Sequence, residues 1–170
     1  MEKRDLYDIN RNLTGKTIYK GLPIPKDKYI LVVLCFIQNF KGDFLIQKRS
    51  RKKGGKYAST GGHPKASQTS IQGMVTEIKE ELGLNVLPAD LHLIFSDRDD
   101  FRQVFFDVYY LKKDFDIDDL ILQKSEVESV EWLSLDQINE LINDDLFLKS
   151  HAEDMYKMLD FLKGSEVNLE

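Results

Sequence analysis

Cysteine is almost absent from this chain. The one residue, Cys35, excludes an internal disulfide, and its apolar neighbours predict a small core side chain. Long apolar runs are absent too: the longest extends from Tyr29 to Ile37, far short of the ~20 residues that a membrane-spanning helix requires. The opening Met1-Glu2-Lys3-Arg4-Asp5 leads into no apolar stretch, so no secretory leader is expected. Nor is there an excess of positive charge. Against 29 Asp+Glu stand 24 Lys+Arg, a net charge of −5, which argues against a nucleic acid polymer as the main partner. Internal repeats and Pro/Gly/Ser-rich linkers are also missing. A cytoplasmic protein with no membrane partner is the expectation.

What is present is ordinary for a globular domain: 170 residues, 42% hydrophobic and 31% charged, enough to bury a real core. Residues 1–28 read as an N-terminal extension, with short strands at Asp5–Ile9 and Lys16–Lys20 and an extended Pro23-Ile24-Pro25 stretch. Residues 29–170 read as the main domain. Tyr29–Gln38 is continuously apolar and β-branched, the pattern of a strand buried on both faces. A turn at Asn39–Asp43 returns into a partner strand at Phe44–Lys48, followed by a basic loop at Arg49–Lys56 and a Gly61-Gly62 pair.

From Ile71 the period changes. Ile71, Met74, Val75, Ile78 and Leu82 form one apolar helix face, with Ser67 or Thr69 as the N-cap and Gly83 as the left-handed stop. Leu91–Phe95, Gln103–Leu111 and Val127–Leu133 read as strands. Capping boxes at Ser134–Gln137 and Ser150–Glu153 open two further helices, to about Ile142 and about Lys163, and the tail from Gly164 is expected to fray. This mixture without strict βαβ alternation predicts an α/β fold, a mixed sheet sandwiched by helices.

The chemistry concentrates on the first long helix. Glu77, Glu80 and Glu81 fall at i, i+3 and i+4, so their carboxylates share one helix surface. Like charges at that spacing repel by ~0.2–0.5 kcal/mol, and a cation would turn the repulsion into ligation. Hard oxygen donors suit Mg²⁺ or Mn²⁺ beside phosphate oxygens. On spacing alone, a solvated helix face is the competing reading.

The context decides between them. The segment Gly62 to Leu84 resembles the Nudix box, G-x5-E-x7-R-E-U-x-E-E-x-G-U with U a bulky apolar residue. Gly62, Glu77, Ile78, Glu80, Glu81, Gly83 and Leu84 match in register, while Gln68 replaces the first glutamate and Thr76 the arginine. Phe44–Ser50 resembles the strand before the box in that family, and Glu126-Val127 with Trp132 a later strand.

The resemblance implies a Nudix-type α/β/α sandwich. It further implies a metal-dependent pyrophosphohydrolase of a nucleoside diphosphate linked to another moiety, using Mg²⁺ or Mn²⁺ and an attacking water. By position, Glu77, Glu80, Glu81 and the Gly61 carbonyl are the implied metal ligands, and Glu77, Glu80 and Glu126 the implied catalytic residues. Arg49 and Arg51, from a basic cluster that includes Lys52, Lys53 and Lys56, are candidates to hold substrate phosphates. Lys52 and Lys53 read as solvated loop residues. Asp97, Asp99 and Asp100 are weaker candidates from a loop near the site.

Gln68 and Thr76 bear on activity, because Thr76 cannot repeat the arginine's bidentate contact and Gln68 removes a charge. They favour an alternative, a catalytically weakened domain that binds nucleotides or a partner; the intact glutamates favour the hydrolase. Gly62-His63-Pro64 and Gln47–Ser50 are similar to isopentenyl-diphosphate isomerase. Gly61 stands where that enzyme needs cysteine, so an isomerase-like subgroup of hydrolases is the description reached rather than the isomerase itself. His63 and His92 read as structural. Asp114, Asp116 and Asp118 start like a calcium loop, but Asp119 and Ser125 break the pattern. The expected partner is a small diphosphate, and a homodimer packed across the N-terminal extension is left open.

Overall fold

The computed structural model describes residues 1–165. In chain order it contains β1 (Lys3–Tyr7), β2 (Leu13–Tyr19), β3 (Ile30–Gln38), β4 (Phe44–Arg49), β5 (Tyr57–Ala58), β6 (Thr60–Gly62), α1 (Ser70–Leu82), β7 (His92–Asp99), β8 (Val104–Lys112), β9 (Val127–Leu133), α2 (Leu135–Asn143) and α3 (Lys149–Gly164). The main sheet runs β5-β4-β3-β8-β7, with β6 added to β3 and β9 to β4. The β3–β8 pair is parallel along its length and the other pairs are antiparallel. This is the expected mixed sheet.

Its layers explain the apolar run. Leu31, Val33, Cys35 and Ile37 point to one face, where Met74, Ile78 and Leu82 of α1 pack on them. Leu34 and Phe36 point to the other, against Ile138 of α2 and Met155 and Met158 of α3. Strand side chains alternate between faces, so a central strand covered by helices on both must be apolar at every position.

Helix α1 starts at Thr69, whose hydroxyl accepts from the Gln72 N–H while Gln72 bonds back to the Thr69 N–H. It ends at Gly83, in the left-handed region at φ 69°. There the Ile121 N–H reaches the Leu82 carbonyl and the Gln123 N–H the Glu81 carbonyl, both at 3.0 Å. The loop that supplies these donors closes over the same end of the helix.

The start of the last helix departs from expectation. Helix α3 begins at Lys149 with Leu148 as its cap residue, and Ser150 forms no cap. The start is set upstream, where the Leu148 N–H bonds the Tyr57 carbonyl at 2.9 Å and buried Phe147 bridges to the β5 edge. The glycine pair after the basic loop lies on a short strand. β6 pairs Gly62, Gly61 and Thr60 with Val33, Leu34 and Cys35, in the gap left as β4 turns toward β9. The tail beyond residue 165, expected to fray, lies outside the described residues.

The β1–β2 hairpin packs on its own chain. Tyr7 and Tyr29 exchange backbone hydrogen bonds of 2.9 and 3.0 Å, and Arg11 makes a bidentate contact with Asp107 of β8. Among the described residues no helix is long and apolar enough to cross a membrane.

Candidate active site

One cleft of about 270 Å³ opens where α1, β6 and β4 meet. The carboxylates of Glu77, Glu80 and Glu81 stand on one wall, with Gly61, Gly62 and His63 beside them; Gln47, Arg49, Lys53 and Glu126 also line it. The glycine pair is sterically required. A Cβ on Gly61 would lie 2.6 Å from the Val33 carbonyl oxygen, and one on Gly62 would occupy the place of the Glu77 carboxyl. No side chain fits where an isomerase cysteine would stand. Cys35 is buried in the core, and burial pushes its thiol far up from the ordinary cysteine range.

The three carboxylates have different surroundings. Glu81 is only 6% exposed, and its Oε2 has no hydrogen-bond partner among the described residues. Burial first, then the neighbouring Glu77 charge, pushes its pKa up to about 8, against the opposing pull of Gln47 and the Gly61 backbone. Glu77 is half-buried and accepts from the His63 N–H at 3.1 Å. Burial raises it to about 7, with Glu80 and Glu2 adding repulsion. Glu80 is exposed and ion-paired with Lys65. No three acidic, histidine or cysteine side chains among the described residues form a closed metal cage.

The chemistry of the donors nevertheless fits a hard cation. A buried carboxylate with an orphaned oxygen and a half-buried like charge for a neighbour is costly unless a positive charge joins them. Residues 28–160 match the NUDIX domain family. The chain belongs to the Nudix family. An uncharacterised Nudix hydrolase of Listeria monocytogenes is 35% identical over 145 residues, covering 83% of this chain and 85% of that protein. Among solved structures, DR0079 of Deinococcus radiodurans aligns with a TM-score of 0.72 at 22% identity, over 87% of this chain and 93% of that one. A bifunctional NMN adenylyltransferase/ADP ribose pyrophosphatase of Francisella tularensis, complexed with AMP and a Mn ion, aligns with a TM-score of 0.58 at 18% identity. That match covers 83% of this chain and 43% of that one. The chain is thus a Nudix hydrolase, a family that hydrolyses diphosphate bonds in nucleoside diphosphate-linked substrates.

The two departures from the Nudix box answer each other. The Gln68 side-chain amide donates to the Thr76 hydroxyl at 2.9 Å, and its oxygen accepts from the Lys65 N–H at 2.8 Å. A neutral hydrogen bond thus joins the glutamate and arginine positions of the motif, which keeps the loop before α1 tied to the helix.

Other positions sort as follows. Arg49 lines the cleft, but Arg51 does not and is exposed. Gln47 and Arg49 share a strand face, and that alternation stops at a 3-10 turn over Arg51–Lys53. Lys53, read as solvated, lines the cleft instead and pairs with Glu126 at 2.9 Å. Lys52 is exposed and Lys56 pairs with Asp145. Asp97, Asp99 and Asp100 border a separate cleft, bonded to Lys157, Arg102 and Arg98. His92 is an exposed strand residue, and Asp114 instead caps the Phe40 N–H. The sequence reading missed Glu2, Arg4 and Lys20 from the hairpin and His151 from α3, all of which line the cleft. No local motif marks them.

Proposed function

We propose that this Nudix hydrolase is a divalent-cation-dependent pyrophosphohydrolase that splits a nucleoside diphosphate linked to another moiety by attack of water. The observation carrying this reading is the pair of neighbouring charges at the cleft wall, buried Glu81 with an orphaned carboxylate oxygen and half-buried Glu77. Glu77, Glu80, Glu81 and the Gly61 carbonyl would hold Mg²⁺ or Mn²⁺, with Glu80 exchanging Lys65 for the cation. Bound there, the cation would neutralise the diphosphate and stabilise charge that develops on its oxygens.

The chain's own groups supply the rest. Arg49 presents a guanidinium to the cleft for bidentate contact with phosphate oxygens. Glu126, which lines the cleft and pairs with Lys53 at 2.9 Å, would accept a proton from the attacking water. Glu77, which lines the cleft, is held by the His63 N–H at 3.1 Å. A cytoplasmic setting belongs to this reading and is supported by the lone buried cysteine.

The test is turnover of nucleoside di- and triphosphates, dinucleoside polyphosphates, nucleotide sugars and dinucleotides with Mg²⁺ or Mn²⁺, using Glu80→Gln and Glu81→Gln as controls. Metal-dependent release of phosphate products, lost in both variants, is the expected result. Inactivity across the panel with nucleotide binding retained would replace the hydrolase with a binding module.

A further inference from the structure

The β1–β2 hairpin forms one wall of the catalytic cleft. Its strand β1 is bonded directly to the loop between the glycine pair and α1: the Ala66 N–H donates to the Lys3 carbonyl and the Ser67 N–H to the Asp5 carboxylate, both at 2.8 Å. At its far end the hairpin is fixed by Arg11, whose guanidinium grips the buried Asp107 carboxylate with bonds of 2.7 and 2.5 Å. Between these anchors, Arg4 and Lys20 line the cleft.

Arg4 is the telling residue. Its side chain is 13% exposed, and its Nε–H is buried with no hydrogen-bond acceptor among the described residues. Its charge is answered only loosely, by Glu2 at 3.8 Å and by the field of Glu77. A buried guanidinium with an unused donor costs free energy unless an acceptor arrives. Lys53 and Glu77 line the same cleft as Arg4 and Lys20, so three cations face the space beside the carboxylate helix. An anion lodged between the hairpin and the carboxylate helix would supply that acceptor.

We propose that Arg4, with Lys20, binds phosphate oxygens of the substrate, so that the N-terminal hairpin is a substrate-binding element of this enzyme. The inference rests on the diphosphate reading of the cleft. A planar fork at Arg4 suits two oxygens of one phosphate, and Lys20 adds a point charge.

Calorimetric titration with inorganic pyrophosphate, with and without Mg²⁺, tests the proposal on wild type, R4Q, R4K and K20Q, with melting curves to establish that each variant folds. The expected result is a Kd raised tenfold or more in R4Q, less in R4K, and about threefold in K20Q. On any diphosphate that is turned over, R4Q raises KM by a similar factor and leaves kcat within about threefold. Wild-type affinity in folded R4Q and K20Q would overturn the proposal, as would failure of the wild type to bind pyrophosphate. Arg4-dependent binding without turnover would uphold this inference and sink the hydrolase; turnover indifferent to Arg4 would do the reverse.

Discussion

Among the described residues two carboxylates are buried, Asp107 and Glu81, and they are treated in opposite ways. Asp107, 1% exposed, accepts from Arg11 at 2.7 and 2.5 Å, from Ser70 at 2.5 Å and from Ser96 at 2.6 Å. Burial alone would raise its pKa, but the bonds from Arg11, Ser70 and Ser96 outweigh it and hold the group below the usual carboxylate range. Glu81, also buried, has an orphaned oxygen and a like charge for a neighbour, and is pushed up to about 8. The fold completes the shell of the first and leaves that of the second open. A satisfied buried charge fixes structure; an unsatisfied one waits for a ligand and costs stability until it comes.

The largest effect expected from breaking this contrast is at Asp107. Removing the acceptor in Asp107→Ala strands Arg11 and two serine hydroxyls and is predicted to cost about 3–5 kcal/mol. At ~2–4 °C per kcal/mol for a chain of this size, the midpoint of thermal unfolding falls by about 10 °C. Next comes activity at the open shell: Glu81→Gln should lower kcat by about 100- to 1000-fold, read by product release under saturating Mg²⁺.

The same substitution has the opposite effect on the metal-free fold. Glu81→Gln removes the buried negative charge and should stabilise the metal-free protein at pH 8 by about 1–3 kcal/mol, visible as a higher melting temperature. The pH dependence follows from the signs. For Glu77 and Glu81 the folded values, about 7 and about 8, lie above the ordinary carboxylate value of 4.5. The folded state therefore binds more protons, and their contribution is present below about pH 4.5 and lost as pH rises toward 8. Asp107 is depressed, so its contribution is lost as pH falls instead. The metal-free protein should melt lower at pH 8 than at pH 5, with Mg²⁺ or the glutamine substitution reducing the difference. The smallest effect is at the altered box positions, where Thr76→Val removes the Gln68 bond at a cost of about 1 kcal/mol in a chemical-denaturation curve.

Which parts of this contrast the sequence displays depends on the range of the interaction. Local devices were legible: Thr69 and Gly83 bracket α1, and the helical period alone aligns Glu77, Glu80 and Glu81. The double-faced burial of β3 was legible because every position in it is apolar. Arg4 and Lys20 were not, because strand pairing across the hairpin and bonds to Ala66 and Ser67 bring them to the cleft from far along the chain. Ser150 misled for a related reason. It has the right capping partners, but a distant contact between Leu148 and Tyr57 starts the helix earlier. Arg51 failed where strand alternation gave way to a 3-10 turn that its sequence does not announce. The Gln68–Thr76 bond read as two separate defects until the loop and the helix were seen together.

Whether the open shell at Glu77 and Glu81 holds a cation is tested without any substrate by direct titration with Mn²⁺ at pH 7.5. Saturable binding to the wild type that weakens at least tenfold in Glu81→Gln, with Asp97→Asn unaffected, is the expected result. Binding of equal strength in wild type and Glu81→Gln, or no binding to either, would contradict it.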